Sequence, residues 1–307
     1  MSRRYLFRRL LLVVPVLMGT ILLVYALVFL LPGDPITTLA GSKPLARSTY
    51  NELRSRYHLD DPFLVQYVEY LNGIVHGDLG ETFRGREVSE IIRQRFPVTL
   101  NLAIGAFTVE VVLGLALAMV AALKRRTLFD SSILVVTLLL ITVPVIVLGF
   151  ILQYTLGLKL GWFPVAGIRE GWRSYVLPSL TLGLGSAAAL GRLARSNLLD
   201  NMAGEHVRAT VARGLHPRRV MRHVLKNSLV PIVTILGLDL AYLMGGAVIT
   251  ETIFNLPGLG FEMVVGIRTE NGPLVVGLVT ISAIAFIFMN LFVDLFCARI
   301  DPRISYE

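Results

Sequence analysis

The hydrophobic pattern of the chain consists of six apolar runs, separated by polar segments of very unequal length. A helix needs about 20 apolar residues to cross the hydrocarbon core of a bilayer. The pattern therefore predicts an all-α integral membrane protein with six spans. The fourth run is short, and we expect it to extend past Arg192, whose side chain can reach the headgroups. The predicted spans are Leu10–Leu31, Val98–Leu123, Ser131–Leu158, Tyr175–Gly191, Ser228–Thr250 and Pro273–Cys297.

Positively charged residues predict how these spans are oriented. Seventeen of the 29 Lys and Arg residues flank the spans on one side, whereas the short loops opposite, 159–174 and 251–272, hold four. Cytoplasmic loops carry this excess of positive charge in membrane proteins. Both termini, and the connection between the fourth and fifth spans, are therefore predicted to be cytoplasmic. The seventeen are Arg3, Arg4, Arg8, Arg9, Lys124, Arg125, Arg126, Arg192, Arg195, Arg208, Arg213, Arg218, Arg219, Arg222, Lys226, Arg299 and Arg303.

A long polar segment, residues 32–97, follows the first span and is predicted to be an external helical subdomain. Asp60 or Asp61 is expected to cap a helix that begins at Pro62. A second helix, which contains Val88, is expected to lead into the second span. Two interpretations stay open: a lid that packs on the helical bundle, or a docking surface for an extracytoplasmic partner.

The segment Glu205–Pro231, called the polar hairpin below, lies between the fourth and fifth spans. Its pattern predicts two short helices with a turn at Gly214-Leu215, and an apolar stripe on the first helix. It is either a basic amphipathic helix on anionic headgroups or a loop that binds another protein. The predicted stripe is Ala203, Val207 and Val211. The second helix has an apolar face of Val220, Met221, Val224 and Leu225 and a basic face of Arg218, Arg219, Arg222 and Lys226.

Composition supports the membrane assignment and removes several alternatives. Hydrophobic residues make up 54% of the chain and charged residues 16%, with a mean hydropathy of +0.69. A soluble domain could not bury so much apolar surface. The net charge of +8 does not indicate nucleic-acid binding, because the basic residues crowd against the ends of the spans. Cys297 is the only cysteine, which excludes an internal disulfide and a cysteine-based metal cluster.

Residues for catalysis are not evident in the sequence. No Gly-x-x-x-x-Gly-Lys-Ser/Thr phosphate loop occurs, so the chain is not expected to hydrolyse ATP. The glycines between Gly183 and Gly191 lie inside a predicted span, where they are expected to let helices approach closely. The five histidines show no metal-ligand spacing. We therefore predict a non-enzymatic chain without a metal site.

Three carboxyl groups lie within or at the ends of predicted spans, at Glu110, Asp239 and Asp294. Intramembrane acids are costly and usually functional, so they support a rival function, a proton-coupled secondary carrier. Asp239 either lines a wet pathway or pairs with a residue of a partner subunit, whereas Glu110 is expected to form a structural pair. A channel is disfavoured because no span carries a regular polar stripe. Further candidates for a pathway or gate are Pro144, Gly245 and Gly246.

The polar hairpin resembles the cytoplasmic coupling loop of ABC importer permeases. The resemblance rests on Arg208-Ala209-Thr210-x-x-x-Gly214-Leu215, followed by Lys226-Asn227-Ser228-Leu229-x-Pro231. The general family motif begins Glu-Ala-Ala, and here Arg208 stands at the Glu position, a departure typical of the peptide-import branch. In that family the loop docks in a cleft of the ATP-hydrolysing subunit.

Further motifs extend the resemblance over nearly the whole chain, to the peptide/nickel permease family. It is closest to the first permease subunit of dipeptide and oligopeptide importers. The motifs are Leu31-Pro32-Gly33-Asp34-Pro35, His76-Gly77-Asp78-Leu79-Gly80, Leu177-Pro178-Ser179-Leu180, Glu251-x-x-Phe254-x-x-Pro257-Gly258-Leu259-Gly260 and Asp301-Pro302-Arg303.

The resemblance implies one of two permease subunits of an ATP-driven importer for short peptides in a bacterial inner membrane. Expected partners are a second, homologous permease, two ATP-binding subunits or domains that hold ATP and Mg²⁺, and an extracytoplasmic peptide-binding protein. Residues implied to couple to the ATPase are Glu205, Arg208, Ala209, Thr210, Gly214, Leu215, Arg218, Arg219 and Arg222. Candidates for docking the binding protein are Asp78, Leu79, Gly80, Pro257 and Gly258.

The expected organisation has four parts. Residues 1–31 form a cytoplasmic N-terminus and the first span, and residues 32–97 form the external insertion. Residues 98–297 form the permease core, which includes a coupling loop at 196–227. Residues 298–307 form a cytoplasmic tail.

Overall fold

The computed structural model describes residues 3–29, 36, 46–56 and 60–300. Within them the chain is helical, without a strand, and an antiparallel bridge joins Glu81 to Glu87. The all-α prediction is confirmed. The helices are α1 (Arg3–Phe29), α2 (Arg47–Arg56), α3 (Phe63–Val75), α4 (Val88–Leu123), α5 (Leu128–Thr142), α6 (Val145–Leu152), a π-helical segment (Gln153–Lys159), α7 (Arg173–Ala203), α8 (Glu205–Ala212), α9 (Pro217–Ile253), α10 (Leu259–Arg268) and α11 (Gly272–Ile300).

Each predicted span coincides with apolar helix in the described part of the chain. Three helices are long and apolar enough to cross a bilayer, namely α4, α7 and α11 as far as Val293. Two bent helix pairs could each form one further span, and the apolar part of α1 covers Leu11–Leu27. The six-span count therefore remains a prediction. The motif Leu31–Pro35 and the tail from Asp301 lie outside the described residues.

The third predicted span is not one straight helix. Helix α5 ends at Thr142, and α6 with its π-helical continuation leaves at 106° to it. Val143 and Pro144 at the corner both have extended backbone, with ψ values of 125° and 139°. A proline disfavours helical backbone in the residue before it, and the proline itself has no N–H with which to continue a helix. The hydrophobic pattern indicated one apolar run, and Pro144 divides that run into two helices.

The first of two compact units comprises residues 100–256 and 288–307, and small residues bring its helices together. A Cβ at Gly183 of α7 would meet the Ala106 carbonyl of α4, and one at Gly191 would lie 3.3 Å from the Gly114 carbonyl. The predicted packing role of this glycine cluster is therefore confirmed for α4 and α7.

The second unit comprises residues 2–99 and 257–287. The Tyr67 hydroxyl of α3 donates to the Met18 carbonyl of α1 at 2.8 Å, and the Tyr70 hydroxyl donates to Thr280 of α11 at 3.0 Å. A separate cluster joins the start of α4 to α10 and α11. Its buried members are Val88, Ile91, Ile92, Leu259, Leu274 and Leu278.

Two details of the external insertion differ from the prediction. Helix α3 begins at Phe63 as expected, but neither aspartate caps it, because Asp60 pairs with Arg54 at 2.6 Å and Pro62 occupies the cap position. Helix α4 runs without a break through Pro97. The boundary expected between residues 97 and 98 therefore falls inside a continuous helix.

Candidate functional site

The polar hairpin has the predicted helix–turn–helix form. Helix α8 ends at Ala212, and Gly214 has a φ of +71°, which glycine adopts without the steric cost that a side chain brings. The Leu215 N–H donates to the Thr210 carbonyl at 3.3 Å. Helix α9 then starts with Pro217 in its first turn, where proline costs no hydrogen bond. The sequence thus fixes both the turn and the start of α9.

One face of the second hairpin helix packs on the bundle. Val224 is buried, and Met221 and Leu225 pack around the same cluster, which includes Ala194 and Leu198 of α7. Arg218, Arg219, Arg222 and Lys226 are exposed on the opposite face, as predicted. The stripe predicted on the first helix is wrong, because Val207 packs on this cluster whereas Ala203 and Val211 are exposed.

The nine residues proposed for coupling all lie on the hairpin, and most of them are exposed. Thr210 and Leu215 are half-buried at the turn, and the other seven are exposed. Among the described residues, no ion pair involves the arginines at 208, 218, 219 and 222. The hairpin therefore presents unneutralised positive charge on a packed apolar base. Such a surface can bind carboxylates or phosphates of a partner.

An ion pair that the sequence did not reveal lies close to the hairpin in the same unit. Arg195 of α7 donates two hydrogen bonds to Asp130 of α5, from Nε to Oδ1 and from Nη2 to Oδ2, each at 2.7 Å. The Arg126 N–H donates a third, at 3.0 Å. The two side chains are 19% and 7% exposed, respectively. This bidentate pair fixes the start of α5 to the part of α7 that leads into the hairpin.

The pathway candidates lie in different environments. Asp239 of α9 is half-buried, and its carboxyl lies beside that of Glu110 of α4. Glu110 was expected to form a structural pair, and the group that lies beside it is a second acid. Pro144 stands at the corner between α5 and α6, and a Cβ at Gly245 would meet open space. The surroundings of Gly246 and of the Asp294 side chain lie outside what the structure describes.

Both docking motifs lie within the second unit. Asp78, Leu79 and Gly80 line a cavity of about 630 Å³, together with the aromatic residues Tyr25 and Tyr70. The Gly80 N–H donates to Asp78 Oδ1 at 2.8 Å, which stabilises the loop. Leu79 also packs on the cluster that contains Leu259, the residue after Pro257-Gly258. Sequence motifs some 180 positions apart are therefore linked through one buried cluster, and of the second pair of docking candidates Gly258 is buried and Pro257 half-buried.

No metal site accompanies these surfaces. Among the side chains that the structure describes, no group of three or more His, Cys, Asp or Glu residues is placed to hold a metal ion.

Known proteins resemble the chain along its whole length. The family described as binding-protein-dependent transport system inner membrane component matches residues 114–306, and the N-terminal family of such membrane components matches residues 2–103. The glutathione transport system permease protein GsiC of Salmonella typhimurium (strain LT2) is 35% identical over 305 residues, which is 99% of either chain. GsiC of Escherichia coli (strain K12) is 34% identical over 306 residues, again 99% of either chain.

Solved structures share the fold at low sequence identity. A chain of the MetNI methionine ABC transporter in an inward-facing conformation matches with a TM-score of 0.56 and 16% identity, over 69% of this chain and 96% of that chain. A chain of an amino acid ABC transporter matches with a TM-score of 0.54 and 18% identity, over 69% and 94%.

Proposed function

Because the chain belongs to the family of binding-protein-dependent transport system inner membrane components and is the permease subunit of an ABC importer, we propose that it imports short peptides and that its polar hairpin couples it to ATPase subunits. As such a permease it is non-catalytic, since the ATPase of these transporters is a separate subunit.

One observation supports the coupling proposal most directly: an exposed basic surface stands on a buried apolar base. Val224 and Leu225 of α9 pack with Leu198 of α7 and Ala118 of α4. A force applied to the exposed arginines therefore acts on two long helices at once. The surface charge offers contacts for carboxylates of a motor subunit, and the packed base transmits the movement.

The proposed cargo is a peptide of a few residues. The two GsiC relatives are named as glutathione permeases, and glutathione is a tripeptide. In importers of this kind the binding protein supplies much of the specificity, so we propose the class of short peptides and leave the member open.

The proposed assembly contains this chain, a second homologous permease, two ATP-binding subunits or domains, and an extracytoplasmic peptide-binding protein. Both termini and the hairpin face the cytoplasm. Positive charge on the hairpin supports this orientation. The opposite loop, residues 159–174, carries Trp162 and Trp172, which are 56% and 75% exposed. Tryptophan favours the membrane–water interface, which suits an external loop at that depth.

In the proposed cycle, ATP closes the dimer of motor subunits and the hairpin moves with it. Helices α7 and α9 then tilt as rigid bodies and open the pathway outward. The binding protein releases its peptide into the pathway, and hydrolysis restores the inward-facing state. The residues of this chain bind the motor and transmit its movement, and the fuel is consumed in the partner subunits.

The coupling proposal is tested by two substitutions in the reconstituted importer. Gly214→Pro is incompatible with a φ of +71° and removes the N–H that donates to the Val211 carbonyl. Ala209→Trp places a bulky ring on the docking surface. Both variants are expected to lose uptake and to hydrolyse ATP without stimulation by loaded binding protein, while membrane insertion is unchanged.

Leu128→Trp is the matched control, because Leu128 is exposed at the start of α5, outside the hairpin. It is expected to transport normally. Normal transport by both hairpin variants would refute the coupling assignment.

The proton-coupled carrier, the rival from the sequence, differs in its source of energy. Uptake by the proposed importer stops when ATP is depleted and persists when the proton gradient is collapsed. The reverse result would restore the carrier interpretation and would leave the exposed hairpin without a function.

A further inference from the structure

We propose that Glu110 and Asp239 form a carboxyl pair that binds the ammonium group of the transported solute inside the membrane. This inference rests on the proposed function, since it assigns the pair to the translocation pathway. It names the chemistry recognised, a primary ammonium on a small solute, and the two residues that recognise it.

The geometry of the pair is unusual for a helical bundle. Glu110 is fully buried, with an exposed fraction of 0%, and neither of its carboxyl oxygens has a hydrogen-bond partner of suitable geometry. Its carboxyl lies beside that of Asp239 on α9, which is half-buried. An inner acid without a donor therefore lies behind an outer acid that remains partly open. A buried acceptor left unpaired is costly, so a donor is expected there when the importer works.

The apolar cores of the second to sixth predicted spans hold no basic residue that could neutralise the pair. Glu110 and Asp239 are the only charged residues in the central turns of α4, α7 and α9, which cover 96–123, 174–191 and 227–250. Residues 131–158 and 273–293 contain no charged residue. The positive charge must therefore come from outside the chain.

The exposed neighbours of Asp239 indicate where that charge arrives. Tyr242, one turn further along α9, is 65% exposed, and Leu238 is exposed beside it. An acid and a tyrosine on one open face of a span do not suit contact with lipid tails, and such residues in spans face a bundle interior or a wet cavity. This face of α9 is therefore assigned to the pathway.

The charge of the pair suits one ammonium group. Two adjacent carboxyl groups in an apolar interior repel each other when charged, so one cation that contacts both of them is stabilising. An ammonium group has three N–H donors and can satisfy oxygens of both residues. A free α-amino group of a short peptide has this chemistry, and an acylated amino group has lost both the charge and two donors.

The first experiment compares two probes in the complete importer, reconstituted in proteoliposomes with its partner subunits and binding protein. The probes are glutathione and glutathione acetylated at its α-amino group, each supplied at a concentration that saturates the purified binding protein. The wild type is expected to prefer the free amine. Asp239→Asn and Glu110→Gln are expected to lower that preference about tenfold or more, the size typical of a charged hydrogen bond.

Ile249→Ala is the matched control, because Ile249 is exposed on the same helix, ten residues beyond Asp239 and outside the face assigned to the pathway, and it is expected to keep the wild-type preference. If the acid variants lose uptake of both probes to the same extent, the inference is overturned and the pair has only a packing role. Failure of the proposed function is distinguishable, because it would abolish ATP-dependent uptake in the wild type.

The second experiment needs no cargo. Dicyclohexylcarbodiimide forms a stable N-acylurea with a protonated carboxyl group, and mass spectrometry locates it. One carboxyl of the pair is expected to react in the wild-type complex, and butylammonium chloride is expected to slow the reaction where equal sodium chloride does not. Absence of labelling at both residues would show that neither carboxyl is open to a solute in the complex, and it would overturn the inference.

Discussion

Asp130 and Arg195 stand 65 positions apart in the chain and form one bidentate ion pair close to the polar hairpin. Both side chains are largely removed from solvent, so neither can exchange its partner for water at low cost. The pair therefore fixes the part of α7 that leads into the hairpin. Its loss should lower the stability of the complex before it lowers transport.

Replacing Arg195 by alanine leaves the Asp130 carboxylate buried without its main partner. Breaking a buried pair on one side costs about 3 kcal/mol, and we expect a clear fall in the thermal unfolding midpoint of the purified complex. Arg195→Lys should recover only part of it, since lysine cannot bond both carboxylate oxygens in one plane.

Arg173→Ala provides the comparison on the same helix. Arg173 pairs with Glu170 at 3.3 Å and donates to the Trp162 carbonyl at 2.7 Å, and both charged side chains are about half-exposed. An exposed pair contributes about 0–1 kcal/mol, so this variant should unfold almost like the wild type. If both alanine variants shift the midpoint equally, the Asp130–Arg195 pair has no special role.

Single residues also show what sequence can and cannot supply. Gly214 and Pro217 marked the turn of the hairpin because their backbone preferences are local. The Asp130–Arg195 and Glu110–Asp239 pairs were not foreseen, since a pairing between distant helices depends on how those helices pack. Asp60 was expected to cap α3, but Arg54 of the preceding helix engages it instead.

Among the helices, the corner between α5 and α6 differs most from the hydrophobic pattern. An apolar run of this kind reads as one span, and its 106° turn depends on the two extended residues at Val143-Pro144. Apolar periodicity indicates that a segment is buried in lipid or protein, but it does not give the direction in which the helix runs. It located the long helices of the described residues, but the boundary that it placed between residues 97 and 98 is wrong, because α4 continues through Pro97.

Pro144→Ala should loosen this corner. Alanine restores an N–H and frees Val143 from the extended backbone that a following proline requires. Spin labels at Val135 of α5 and Ile151 of α6, both exposed, should show a broader distance distribution by pulsed electron paramagnetic resonance.

Pro178→Ala is a fitting control, because Pro178 lies inside α7, which continues past it as a helix. It should leave the distances between the two labels unchanged. A Pro144→Ala distribution as narrow as the wild type would show that packing, not proline, sets the corner.

For the molecule as a whole, the proposed docking of a binding protein can be tested at the external insertion, residues 32–97. Removing residues 45–95 would be too coarse a test, since Val88, Ile91 and Ile92 belong to a buried cluster. Asp78→Ala is sharper, because it removes the oxygen that accepts from the Gly80 N–H in the loop that lines the cavity. Loaded binding protein is expected to stimulate ATP hydrolysis several-fold less, whereas basal hydrolysis stays unchanged.

Asp60→Ala serves as the reference for this prediction, since Asp60 is an exposed acid that pairs with Arg54 away from the cavity. It should respond to binding protein as the wild type does. Equal stimulation of both variants would favour the other interpretation of the insertion, a lid that packs on the bundle.

The two tryptophans have an optical consequence. Trp162 and Trp172 are the only tryptophans of the chain, and both belong to one exposed loop between the π-helical segment and α7. Tryptophan emission from this subunit, excited at a wavelength that tyrosine does not absorb, therefore arises from a single loop. In an assembly whose other subunits lack tryptophan, a blue shift during turnover would report, without any attached dye, the moment at which that loop leaves water.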